Sequence, residues 1–257
     1  MKPLDRRPEL GRSMRVEFAF AIVAFLVIPR TASAQPSGIN LSWDTCGSAG
    51  QINKSFACDT NSGSETLVGS VVFSRPSAVM QGTVSELELQ VESTTLPAWW
   101  SVAQSASACR LLALTASYDE GATVGACAPL PFRFGVLVHS VTYASGYQAP
   151  NRARASVFLL QPDVFGPGPV AGLEYHAFRL TLAHSKTVGT GACAGCGIPA
   201  CISLRSVTLE AGGSDTQTVT IPLTRAHVTW QSASDAACAG ATPARNDTWG
   251  AIKALYR

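Results

Sequence analysis

The chain reads as an all-β protein, an antiparallel β-sandwich of Ig-like, cohesin-like or jelly-roll type with a short C-terminal helix. Three observations predict this. Apolar and polar residues alternate with period two in short runs, as half-buried strands require. The runs are separated by Gly, Pro, Ser and Thr clusters rather than by the 10–15-residue helices of a βαβ fold. Long helical periodicity is absent.

The first segment stands apart. FAFAIVAFLVI (18–28) is an eleven-residue apolar run preceded by Arg15 and followed by Ala32-Ser33-Ala34, the small-x-small pattern of a signal-peptidase site. It is too short to cross a bilayer, which takes about 20 apolar residues. Residues 1–34 are therefore expected to be a removed secretory signal, with Met14 opening a more ordinary signal than Met1. A twin-arginine reading of Arg6-Arg7 fails because Pro8-Glu9 follows where an apolar pair belongs.

Cleavage near Ala34 changes the charge argument. Six of the 19 Lys and Arg and three of the 17 Asp and Glu precede Gln35, which leaves 13 positive and 14 negative residues. No basic stripe then suggests nucleic acid or an anionic membrane as a partner, and the mature chain has no membrane span. About 223 residues can bury one core, so 35–240 is expected to be a single sandwich domain.

Along that domain the clearest strand is Val84–Ser93, where Leu87, Leu89 and Val91 point one way and Glu86, Glu88, Gln90 and Glu92 the other. Similar runs occupy 67–73, 132–143, 153–160, 173–184, 201–209, 217–223 and 227–231. LPAWWSVA (96–103) fits a helical turn. In the tail, 241–257, TWGAIKALYR places Trp249, Ile252 and Tyr256 on one side of a short amphipathic helix expected to dock on the sandwich.

All eight Cys (Cys46, Cys58, Cys109, Cys127, Cys193, Cys196, Cys201, Cys238) lie after the signal. An even count in an exported chain is the arithmetic of four disulfides. The dense stretch VGTGACAGCGIPACISL (188–204) lacks the second ligand pair of a zinc site. Its glycines and Pro199 also deny a redox CxxC the helix start that would stabilise a thiolate. It reads as a staple for the loop 187–200. Local pairing suggests Cys46–Cys58 and Cys109–Cys127, with Cys193–Cys201 and Cys196–Cys238 completing the set. No metal and no other cofactor is expected.

Other constellations are weighed against plain structural roles. Asp59-Thr-Asn61-Ser-Gly63 resembles half a calcium loop but lacks the distal Glu, and a turn explains it. On 173–184, alternation puts Glu174, His176, Phe178, Leu180, Leu182 and His184 on one face, with the two histidines at opposite ends and too far apart to share a substrate atom. Trp99 and Trp100 are candidate ligand contacts, a stacking platform for a sugar ring, set against a core role. No nucleophile elbow or HExxH is present, and no catalytic residue is assigned.

The order NLSWDTCG (40–47), FACDTNSGSETLVGS (56–70), LPAWW (96–100), PNRARASV (150–157), EYHAFRL (174–180), KTVGTGACAGC (186–196) and terminal TWGAIKALYR resembles a group of uncharacterised exported bacterial proteins. The resemblance covers nearly all of the mature chain. It implies secretion, a disulfide-bonded β-rich domain and no established activity, and it carries over no site. His176 stands where that group has an aromatic residue.

The expectation is thus an exported non-enzymatic module, structural or binding, secreted or held in the periplasm or at the outer surface, with a glycan or cell-surface protein as partner. The alternatives are a carbohydrate-binding module and a secreted hydrolase. A hydrolase would need a cleft gathering groups such as His139, Asp163, Glu174 or His227, and a glycosidase would need two carboxylates about 5–9 Å apart.

Overall fold

The structure, a computed structural model, describes residues 36–118, 124–132, 138–161, 166–211, 215–234 and 238. The expected signal, Asp163 and the tail helix lie outside the described residues. The strands in chain order are β1 (Gly38–Trp43), β2 (Asn53–Lys54), β3 (Ser64–Val72), β4 (Val79–Met80), β5 (Gly82–Val91), β6 (Leu114–Ser117), β7 (Ala128–Pro129) and β8 (Val138–Ser145). They continue as β9 (Arg152–Leu160), β10 (Gly166–Pro167), β11 (Glu174–Ala183), β12 (Ala200–Glu210), β13 (Gln217–Val219) and β14 (His227–Trp230). The helical elements that lie wholly among the described residues are two 3-10 turns, Gly47–Ala49 and Ala98–Trp100, the second inside the expected turn at 96–103. No helix among the described residues is long and apolar enough to cross a membrane.

The strands form two sheets. The first runs β1-β3-β11-β6 with β7 beside β11, and the second runs β2-β14-β12-β5-β9-β8 with β13 beside β12. Long pairs are antiparallel; the short β7 and β2 pair in parallel. A two-residue ribbon, β4 with β10, stands apart. The core forms where the inner faces meet: Ile39, Leu41 and Trp43 of β1, Leu87, Leu89 and Val91 of β5, and Ala153, Ala155 and Val157 of β9. The alternation read in β5 is therefore the inward and outward faces of a sheet.

The two sides of the sandwich are closed differently. On one, the segment 221–225 runs along β1, with Ile39 and Leu41 donating to the carbonyls of Ile221 and Arg225 and Leu223 donating to that of Ile39. Asn40 fastens it by accepting from the amides of Thr224 and Arg225. That segment then enters β14, so backbone hydrogen bonds sew the first sheet to a strand of the second. On the other side the edges are β6 and β8, and no described hydrogen bond joins them.

One face assignment is corrected. The register of β11 on β3 slips between His176 and Phe178. Before this bulge Tyr175 points into the core; after it Phe178, Leu180 and Leu182 do. An extra residue in one strand reverses the parity of every later position in that strand. His176 therefore lies on the outer side, opposite Ser70, with its ring stacked 4.8 Å from that of Tyr118.

Candidate functional site

Four disulfides are present, and none of the expected pairings is among them. The bridges are Cys46–Cys127, Cys58–Cys196, Cys109–Cys193 and Cys201–Cys238, with no cysteine left free. The physical reason is topology. Neighbours in a sandwich are often distant in sequence, and the bridges span 81, 138, 84 and 37 residues. The Cys193/Cys196/Cys201 stretch is thus a hub, tied to three separate segments, rather than a loop stapled to itself.

Around the hub three loops form a cap. Asn61 Oδ1 accepts from the amides of Thr187 and Val188, and its Nδ2 donates to the Val188 carbonyl. Within 59–63 the chain bends at Asn61 and Ser62. From the 96–110 side, the Trp99 amide donates to the Ala194 carbonyl and the Trp99 indole to Thr187 Oγ1, while Lys186 Nζ donates to the Cys109 carbonyl. Below, the Trp230 indole donates to the Cys196 carbonyl at 2.8 Å.

The cap covers an aromatic cluster. Trp99 stacks on Trp230 with centroids 5.1 Å apart, Trp100 meets both rings edge-on, and Trp43 lies 6.1 Å from Trp230. Trp99 and Trp100 are 0% and 3% exposed, so neither offers a ring face to a sugar in solvent. The guanidinium of Arg110 lies 3.7 Å over Trp99 and donates to the carbonyls of Trp99, Ala183 and Ser185. Burial pushes its pKa down to about 10, so it remains a cation at neutral pH, satisfied by carbonyls and a ring face. Nothing in the sequence distinguished Arg110, because two of its three acceptors, Ala183 and Ser185, lie more than seventy residues along the chain.

Beneath the cluster is a cavity of about 40 Å3 between the two sheets, walled by Trp43, Leu89, Trp100, Leu114, Tyr143 and Leu180, among others. The Tyr143 hydroxyl donates to the Trp100 carbonyl at 2.7 Å, and the Trp100 indole N–H is buried without a partner.

Among the described residues, two of the groups a hydrolase would need, His139 and His227, do not meet. Glu174 lies on the outside of the first sheet, where Oε1 accepts from Asn40 and Ser70 at 2.7 and 2.6 Å. His227 and His139 sit on β14 and β8, separated by β12, β5 and β9. Glu86 and Glu88 engage Arg154 and Arg205. His184 contacts Glu65 and the Ser62 carbonyl and stacks on Phe56. Beside it Lys54 reaches Asp44 and Glu65: partial burial opposes its charge, but these carboxylates outweigh that and hold its pKa above the ordinary value. Among the described residues, one group has metal-ligand types within 4.8 Å of one another, Cys46, Cys127 and Glu174, and its two sulfurs are bonded to each other. They cannot act as the thiolate pair a metal would require.

No known protein family, curated protein or solved structure matches this chain.

Proposed function

We propose that this chain is an exported, non-enzymatic β-sandwich module with a structural or binding role, released by cleavage near Ala34 into the periplasm or the exterior of a bacterial cell, and akin to the exported group its motifs resemble. The supporting observation is the set of four bridges with no free thiol, which calls for an oxidising compartment. The placement of four polar and charged side chains supports this reading. Arg110, Asn61, Lys54 and Glu174 hold loops and sheet edges rather than facing a shared cleft.

The test is export with its signal in a bacterial host, followed by analysis of the recovered protein. The expected product begins at Gln35, has none of its eight thiols reactive under denaturing conditions, and turns over no glycoside, ester or peptide substrate in a general panel. Turnover lost on a single substitution of Glu174 or His227 would overturn the non-enzymatic reading. Retention of residues 1–34, or reactive thiols in the native product, would overturn export.

A further inference from the structure

On the outer side of the second sheet, apolar side chains gather on three neighbouring strands. The inward residues of β5 and β9 are odd-numbered, Leu87, Leu89 and Val91 against Ala153, Ala155 and Val157. Even-numbered residues of these two strands therefore face outward. The register sets Val84 beside Phe158 and Val138 of β8 beside Leu160 on that side. Val84 and Phe158 are half-buried, while Val138 and Leu160 are 46% and 37% exposed. Cross-strand partners on one face lie about 5 Å apart, so the four side chains make one patch. A contiguous apolar patch marks a contact surface, where scattered single residues would not.

We propose that this patch seats the chain's own C-terminal segment, 241–257, with Trp249, Ile252 and Tyr256 laid on Val84, Phe158, Val138 and Leu160. The inference goes beyond the role proposed above and holds for either form of it.

The point at which the chain arrives favours this occupant. Cys238 is bridged to Cys201, which pairs with Gln90 on the outer side of the second sheet, and the Ser234 amide donates to Glu92 Oε1 nearby. The C-terminal segment thus starts on the face that carries the patch. From Cys201 to Thr208, the β12 partner of Val84, is seven residues, or about 23 Å of strand. Residues 239–248 precede Trp249, and ten residues reach about 33 Å when extended.

The chemistry of the two surfaces matches. Ser140, Ser156 and Thr208 border the patch without charge, so an apolar stripe laid there buries no ion. On β12, half-buried Glu210 lies opposite Gly82 at the rim, and its carboxylate has no cation partner among the described residues. In the helical pattern of the tail, Lys253 and Arg257 each follow a stripe residue and run along one flank of it, one turn apart. That flank supplies the missing cation. A second copy of the chain could also cover the patch, but a tethered segment meets it at an effective concentration in the millimolar range.

Two measurements on the oxidised chain beginning at Gln35 test the assignment. With Tyr256→p-benzoylphenylalanine, irradiation and peptide mapping should give cross-links within one chain to the peptides of β5, β8 or β9. Cross-links to the first sheet, cross-links between two chains, or none at all would overturn it. The second measurement is a thermal double-mutant cycle. Trp249→Ala should lower the melting temperature by about 2–4 °C, the shift that loss of one such contact gives in a chain of this size. In a Phe158→Ala background the same change should add little, because the two residues share one contact. Leu160→Ser, at a more exposed position, replaces Phe158→Ala if that variant does not fold. Fully additive shifts would mean that the tail and the patch do not touch.

Discussion

At the level of single residues, close approach and hydrogen bonding decide more than type. Gly69 on β3 faces Phe178 on β11, and a Cβ built there would lie 2.2 Å from the Phe178 ring. The ring is fully buried and cannot retreat into solvent. Gly69→Ala should therefore destabilise by about 1–3 kcal/mol, the usual cost of overpacking, measured by chemical denaturation. An unchanged midpoint would show that the ring relaxes freely. Asp215 provides a pH-dependent case. Its carboxylate accepts from Ser77 and from the Ala78 amide and pairs with Arg75, and the Ser77 bond is the main reason its pKa lies below the usual 3.8. A depressed carboxylate pKa stabilises the fold above pH 3.8, and that stabilisation is lost as pH falls toward the folded value. Ser77→Ala should raise the Asp215 titration midpoint in NMR and move the acid limb of the stability curve upward. A midpoint that stays put would refute the Ser77 attribution. Neither Gly69 nor Asp215 stood out in the sequence, because the partner that gives each its role lies more than a hundred residues away.

At the level of elements, the sequence was legible where alternation ran long and opaque where tertiary contacts took over. β3, β5, β9, β11, β12 and β14 fall on the expected runs. β1 was not among the expected runs, although Ile39, Leu41 and Trp43 alternate with Asn40 and Ser42. β6 is four residues with no fully buried side chain, so it carries no pattern to detect. The bulge in β11 is likewise invisible to a period-two reading, which continues the wrong parity past Ala177. The cap loops show what local chemistry does reveal. Asn61 was read as a turn former, and its amide side chain holds the hub loop by three hydrogen bonds of 2.7–3.1 Å. Asn61→Ala should cost about 1 kcal/mol, since these bonds are exposed and water replaces part of them. The specific signature is faster hydrogen exchange at the Thr187 and Val188 amides, with β12 unaffected. Uniform acceleration across the sandwich would mean that Asn61 supports the whole fold and not the cap.

At the level of the whole molecule, the cysteines join what the strands alone would leave loose, and their number was legible where their pairing was not. Cys46–Cys127 fixes the loop after β1 to the approach to β7. Cys58–Cys196 and Cys109–Cys193 hold two sides of the cap, and Cys201–Cys238 ties β12 to the chain beyond β14. Each closes a span of 37 residues or more, where cross-linking constrains the unfolded chain by about 2–4 kcal/mol. Their susceptibility to reduction should differ, because an attacking thiolate must reach a sulfur. Cys58 and Cys109 are half-buried, whereas Cys46 and Cys127 are 0% exposed and Cys201 and Cys238 are nearly so. Graded treatment with a dithiol in native buffer, followed by alkylation and peptide mass mapping, should open Cys58–Cys196 and Cys109–Cys193 first. The cap would then loosen over Trp99 and Trp230 while the two sheets persist, giving a change in tryptophan fluorescence before any loss of the β signal in circular dichroism. If Cys46–Cys127 opens with the first pair, or if all four bridges break in one step with the sheets, the cap is not a separable layer and the bridges act as one cooperative unit with the core.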